Sequence, residues 1–140
     1  VAEGPQEAIA EALEDSLLCI IQRRDFEALL RRKPDLALRV TKFIGFKRKR
    51  IESRLEDLVF KDVPGRLAAL LLQLAKDYGV LDRRGVLLRI KLSQRELANL
   101  IGASREMVNH ALSQFRRKRL VDVEGRQIVI LSQEALKAIR

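Results

Sequence analysis

The sequence predicts a mainly α fold with small β elements, in which a long helix leads into a compact set of short helices closed by a β-hairpin. Three observations carry this prediction. Residues 35–61 hold an apolar repeat at helical spacing, with no proline and a single glycine. Residues 93–112 read as two short helices joined at Gly102. Two apolar runs, residues 120–123 and 127–131, flank Glu124-Gly125-Arg126, which has the composition of a tight hairpin loop.

From the N-terminus, residues 17–21 (Leu17-Leu18-Cys19-Ile20-Ile21) have the length of a buried strand, although periodicity does not separate strand from helix here. Cys19 is the one cysteine, so no internal disulfide forms, and the apolar run predicts a buried thiol. Residues 25–30 predict a short helix that ends before Pro34, because proline disfavours the helical conformation in its predecessor. In the long helix, Val40, Ile44, Ile51, Leu55 and Leu58 recur at three-, four- and seven-residue spacings. About 26 residues at 1.5 Å each give roughly 39 Å. A lone helix of that length needs cover for its stripe, so those five residues are the expected dimerisation surface. The other option is a core helix of a monomeric bundle. Lys47-Arg48-Lys49-Arg50 reads as a solvated face, and Gly45 as a kink or a place of close helix approach.

Asp62 or Val63 is the expected end of the long helix, and Pro64 suits the first turn of the next. Leu67, Leu70, Leu71, Leu74 and Ala75 give that helix an amphipathic stripe up to Tyr78-Gly79. Residues 86–92 alternate enough for a strand. Ser93 and Glu96 have capping-box spacing, and Leu97, Leu100 and Ile101 share a face. Ser104 caps the second short helix, 104–118, whose apolar stripe is Met107, Val108, Ala111, Leu112 and Phe115. After the hairpin, Ser132 caps a last helix over 133–139.

Two helices around a glycine turn, with polar residues opening the second, form a helix-turn-helix that presents those residues to the DNA major groove. The hairpin then becomes its wing. The chain carries 28 Lys+Arg against 19 Asp+Glu, a net charge of +9, which favours a polyanionic partner. A membrane is the weaker choice: the longest apolar run, 67–72, falls far short of the roughly 18 residues that span a bilayer. Aromatic residues make up 4%, too few for a base-stacking RNA platform. One His, one Cys and no ligand-spaced cluster give neither a metal site nor catalytic residues, so an enzyme is not expected. The start at Val1 reads as a processed or truncated product. Residues 1–22 lack the basic start of a signal peptide, which predicts a cytoplasmic protein.

From about residue 17 onward the sequence resembles the cyclic-AMP receptor protein/fumarate-nitrate regulator (CRP/FNR) family of bacterial transcription factors. The matching pieces are Asp25-Phe26, the hinge Leu58-Val59-Phe60-Lys61-Asp62-Val63-Pro64-Gly65-Arg66-Leu67, Leu92-Ser93-Gln94-Arg95-Glu96-Leu97-Ala98, Gly102-Ala103-Ser104-Arg105-Glu106-Met107-Val108, and Gly125-Arg126-Gln127-Ile128 in the wing. The resemblance implies three parts: residues 1–33 as the end of an otherwise missing sensor β-roll, 34–61 as the dimerisation helix, and 62–140 as the winged helix-turn-helix. It implies a homodimer on double-stranded DNA, with RNA polymerase as a further partner.

The resemblance assigns Arg105 and Glu106 to base reading. Arg donates bidentately to guanine, and Glu accepts from cytosine N4. His110 occupies the next reading position, often Arg in the family, and Asn109 lies beside it. Ser93, Arg95, Ser104 and Arg126 are the expected phosphate contacts, the first three at helix starts where backbone N–H groups favour anions. The family's cyclic-nucleotide phosphate site would fall at Pro5-Gln6-Glu7-Ala8, where Glu7 repels phosphate. No cofactor is expected in this chain, cyclic AMP is not the expected effector, and the effector is unknown. The alternative reading is a winged-helix protein-interaction module, or a nonspecific DNA binder without its own effector response.

Overall fold

The computed structural model describes Ala12 and residues 15–139. Contacts divide the chain into Val1–Gly45 and Phe46–Arg140. In the first unit, residues 17–21 have no regular structure and are exposed, Leu17 by 97%. This corrects the buried-strand expectation, and Cys19 is exposed too. The run has the composition of a core segment, but no layer covers it among the described residues. Helix α1 (Arg23–Arg32) starts earlier than expected, where Arg23 and Glu27 form an ion pair of 2.8 Å one turn apart.

Helix α2 (Pro34–Phe60) matches the long apolar repeat closely. It continues through Gly45, where among the described residues of this chain nothing lies within 4 Å of a Cβ placed there. Of the expected dimerisation residues, Val40 is half-buried, and Ile44, Ile51, Leu55 and Leu58 are exposed, Ile51 by 60%.

The second unit holds the core. Helix α3 (Val63–Tyr78) starts where the Asp62 side chain accepts from Gly65 N at 2.8 Å, with Pro64 in the first turn. Its apolar stripe is buried, Leu67 and Leu71 completely. Two strands follow, β1 (Gly79–Asp82) and β2 (Gly85–Leu88), where the sequence predicted one strand over 86–92. The correction has a local cause. Gly85, at φ +151, lets the chain reverse, and a side chain there would meet the Ile130 backbone carbonyl.

Helix α4 (Gln94–Ile101) and helix α5 (Arg105–Arg117) are joined at Gly102, in the left-handed conformation at φ +62. Strands β3 (Val121–Glu124) and β4 (Gln127–Ile130) form the wing, and helix α6 (Gln133–Lys137) ends the fold two residues short of its expected end. The sheet order is β1-β2-β4-β3, all antiparallel, with Val86 opposite Ile130. The wing is thereby stitched to the hairpin before the helix-turn-helix. Leu67, Leu71, Leu97, Val108, Phe115, Ile130 and Leu136 meet in one core. Met107 and Leu100 were expected inside but are exposed, Met107 by 51%, because each lies at the margin of its helix's buried face.

Arg119 follows α5 at φ +53, in the region that costs a residue with a Cβ about 1 kcal/mol. Leu120 N donates back to Phe115 O at 2.9 Å, closing the helix end. Arg119→Gly is expected to stabilise the fold by about 0.5–1 kcal/mol, read as a higher urea midpoint at unchanged slope. An unchanged or lower midpoint would show that the arginine side chain outweighs the backbone relief.

Candidate nucleic-acid interface

Helix α5 has two faces. Val108, Ala111, Leu112 and Phe115 are buried against α3 and α4. At 100° per residue, Glu106, Asn109 and His110 turn away from that face, Arg105 lies at its edge in the first turn, and all four are exposed. The residues expected to read bases are thus brought together on one surface. Ser113 and Arg117 extend the same face and are exposed. The sequence assigns Arg117, in the run 116–119, the role of complementing the helix's negative end, with nonspecific phosphate attraction second, and does not single out Ser113. Their spacing from Arg105 and Glu106 was the available signal.

The start of α5 is fixed by Ser104, whose Oγ accepts from Met107 N at 3.2 Å. Its hydroxyl also hydrogen-bonds the Glu106 carboxylate, so an anion there would have to compete with Glu106 for the hydroxyl hydrogen. Glu106 is held below the ordinary carboxylate range, chiefly by its own backbone N–H at the helix start, then by Ser104 and by Arg105. It therefore faces a ligand as an ionised acceptor. His110 Nε2 lies 2.8 Å from Gln114 Nε2, one turn on. Gln94, at the start of α4, donates to Asn109 Oδ1 at 3.4 Å, a long bond across the two helices.

The four expected phosphate contacts divide. Arg95 is exposed without a partner among the described residues. Ser104 is exposed at its cap, whereas Ser93 is half-buried and committed to its capping box. Its Oγ accepts from Glu96 N at 3.2 Å, and its N–H donates to Glu96 Oε2. Arg126 is already engaged: its Nη2 donates to Glu96 Oε2 at 2.9 Å, so the wing's loop is tied to the first turn of α4. Reaching a phosphate requires Arg126 to share or leave that pair.

The Ser93 hydroxyl and N–H, and then Arg126, lower the Glu96 carboxyl from 4.5 to about 2. A carboxyl lowered on folding contributes stability that is complete above its unfolded value and lost as pH falls toward its folded one. The urea midpoint of the wild type is expected to fall between about pH 5 and 2, and Glu96→Gln to flatten that fall. Equal pH dependence in both proteins would remove Glu96 from the account of acid unfolding.

The Crp-like helix-turn-helix domain family matches residues 65–139, from the first turn of α3 to just past α6. The chain belongs to the CRP/FNR family. It is 32% identical over 133 residues to the CRP-like cAMP-activated global transcriptional regulator of Mycobacterium tuberculosis, covering 95% of this chain and 59% of that protein. It is 30% identical over 122 residues to the anaerobic regulatory protein of Bacillus subtilis, covering 87% of the chain and 51% of the relative. Among solved structures, a mutant of CooA from Carboxydothermus hydrogenoformans superposes with a TM-score of 0.75 at 30% identity, over 81% of this chain and 53% of that one. A CRP/FNR-family transcriptional regulator from Thermus thermophilus shares the fold, with a TM-score of 0.67 at 24% identity, over 75% of this chain and 54% of its own. The CRP/FNR chain therefore spans a little over half the length of the relatives it matches. Gln6 and Glu7, expected at the family's phosphate site, lie outside the described residues. Among the described residues no group of His, Cys, Asp or Glu could hold a metal ion. No described helix is long and apolar enough to cross a membrane.

Proposed function

We propose that the chain is the DNA-reading part of a sequence-specific transcription regulator that binds a near-palindromic duplex site as a homodimer. The observation that carries this is the exposed surface of α5, where Glu106, Asn109 and His110 turn away from a buried apolar face and Arg105 stands exposed beside them in the first turn. Arg95 is available for backbone phosphates, and Ser104 and Arg126 can join it by leaving Glu106 and Glu96. Residues 34–61, with Ile44, Ile51, Leu55 and Leu58 exposed, act as the dimerisation helix, and residues 62–140 as the reading domain. Two copies place their α5 helices about 34 Å apart, one turn of DNA.

The test is selection from a randomised duplex pool. A two-fold symmetric motif is the expected outcome, with affinity falling steeply in salt as counterions are released. Motif-free binding would instead support the nonspecific reading. Sedimentation at micromolar concentration is expected to show a dimer, and a monomer would overturn the role given to α2.

RNA polymerase is the further partner of such a regulator, and the cytoplasm is where its DNA lies. The Mycobacterium tuberculosis relative is described as cAMP-activated. For this chain we propose no bound cofactor and no cyclic AMP response. Cyclic AMP is therefore expected to leave its melting temperature unchanged, and a dose-dependent rise would refute this.

A further inference from the structure

A groove of ≈ 550 Å³ lies within the second unit, between the last turns of α2, the outer face of α3 and the end of α4. That volume suits a small molecule, since ligand sites span roughly 300–1,000 Å³. Leu58, Leu70, Leu100 and Ile101 give it an apolar lining. Its charge is one-sided. Five cations, Lys49, Arg50, Arg54, Lys61 and Arg66, line it against one carboxylate, Asp57.

Internal pairing leaves much of this charge uncompensated. Asp57 is taken by Lys61 at 2.7 Å, and Arg50 pairs with Asp77 at 3.1 Å. Lys49 and Arg54 have no partner among the described residues. Arg66 makes two long bonds, to Lys61 O at 3.3 Å and Gly102 O at 3.4 Å, and its buried Nε has no hydrogen-bond partner among the described residues. Buried donors are almost always satisfied by protein or by water, so this Nε is a donor still open to an acceptor.

We propose that this groove binds a small organic anion with an apolar body, the simplest example being a medium-chain carboxylate. The apolar part covers Leu70, Leu100 and Ile101, and the carboxylate meets the cations. A nucleic acid backbone fits poorly, because it would leave the apolar lining bare.

The test is titration of the ¹⁵N-labelled chain with decanoate, and with decanol as the neutral counterpart, followed by amide shifts. Saturable shifts confined to residues 49–61, 66–73 and 99–102 are expected, with decanol at least tenfold weaker. Arg54→Glu, an exposed change, is expected to weaken decanoate at least tenfold with the remaining spectrum intact, and Leu100→Glu to do the same. The proposal is overturned by non-saturating shifts spread along the exposed apolar stripe of α2, by decanol binding as well as decanoate, or by variants that bind decanoate like the wild type. No DNA enters the measurement, so its failure leaves the DNA reading untouched.

Discussion

Phe115→Ala is expected to lower the melting temperature by well over 10 °C, through a loss of about 3–5 kcal/mol. Phe115 is 1% exposed and belongs to the core where α5 meets α3 and the wing. Truncation removes the largest fully buried side chain among the described residues and leaves a cavity that packed neighbours only partly fill. A domain of this size has of order 5–10 kcal/mol in total, so the variant is near the edge of folding. Phe115→Leu keeps most of the volume and is expected to cost about 1–2 kcal/mol. Thermal melts of the three proteins check this. A loss below about 1 kcal/mol in the alanine variant would mean that the core around α5 is looser than its burial indicates.

Arg105→Ala is expected to erase preference at one base pair of each half-site, reducing discrimination there by ~1–3 kcal/mol, roughly 5- to 150-fold. Arg105 is exposed at the first position of α5, away from the core, so folding is expected to be unaffected. Arg95→Ala supplies the contrast. It is expected to weaken all sequences alike and to lower the salt slope by about one per half-site. Competition binding against single-base variants of the selected site, at three salt concentrations, separates the two. If Arg105→Ala weakens every sequence equally, Arg105 contacts phosphate, and base reading falls to its neighbours on α5.

The helix-turn-helix was legible because each of its signals is local. Ser93 and Glu96 lie three residues apart, Gly102 marks the turn by the absence of a Cβ, and the α5 stripe repeats at helical spacing. Glu124-Gly125-Arg126 marked the wing in the same way. What escaped depends on distance in the sequence or on shortness. The hairpin strand β1 has four residues, too few for alternation to register, and Gly79 reads equally well as a helix end. The Arg126–Glu96 pair joins residues thirty apart, so no motif announces it. Burial is a tertiary property, and so Cys19 and Met107, apolar by type, were placed inside when both are exposed. The groove against α2 is likewise assembled from segments with no shared motif.

The ionised Glu106 carries a consequence of its own. A surface that only attracts would linger anywhere along a duplex, since phosphates are everywhere. Under the proposed base reading, the fixed negative charge of Glu106 is welcome only where an amino hydrogen of a base meets it, and is repelled by the keto oxygens elsewhere. The protein would then find its place as much by being turned away as by being held. Short stays on the wrong sequence shorten the search for the right one.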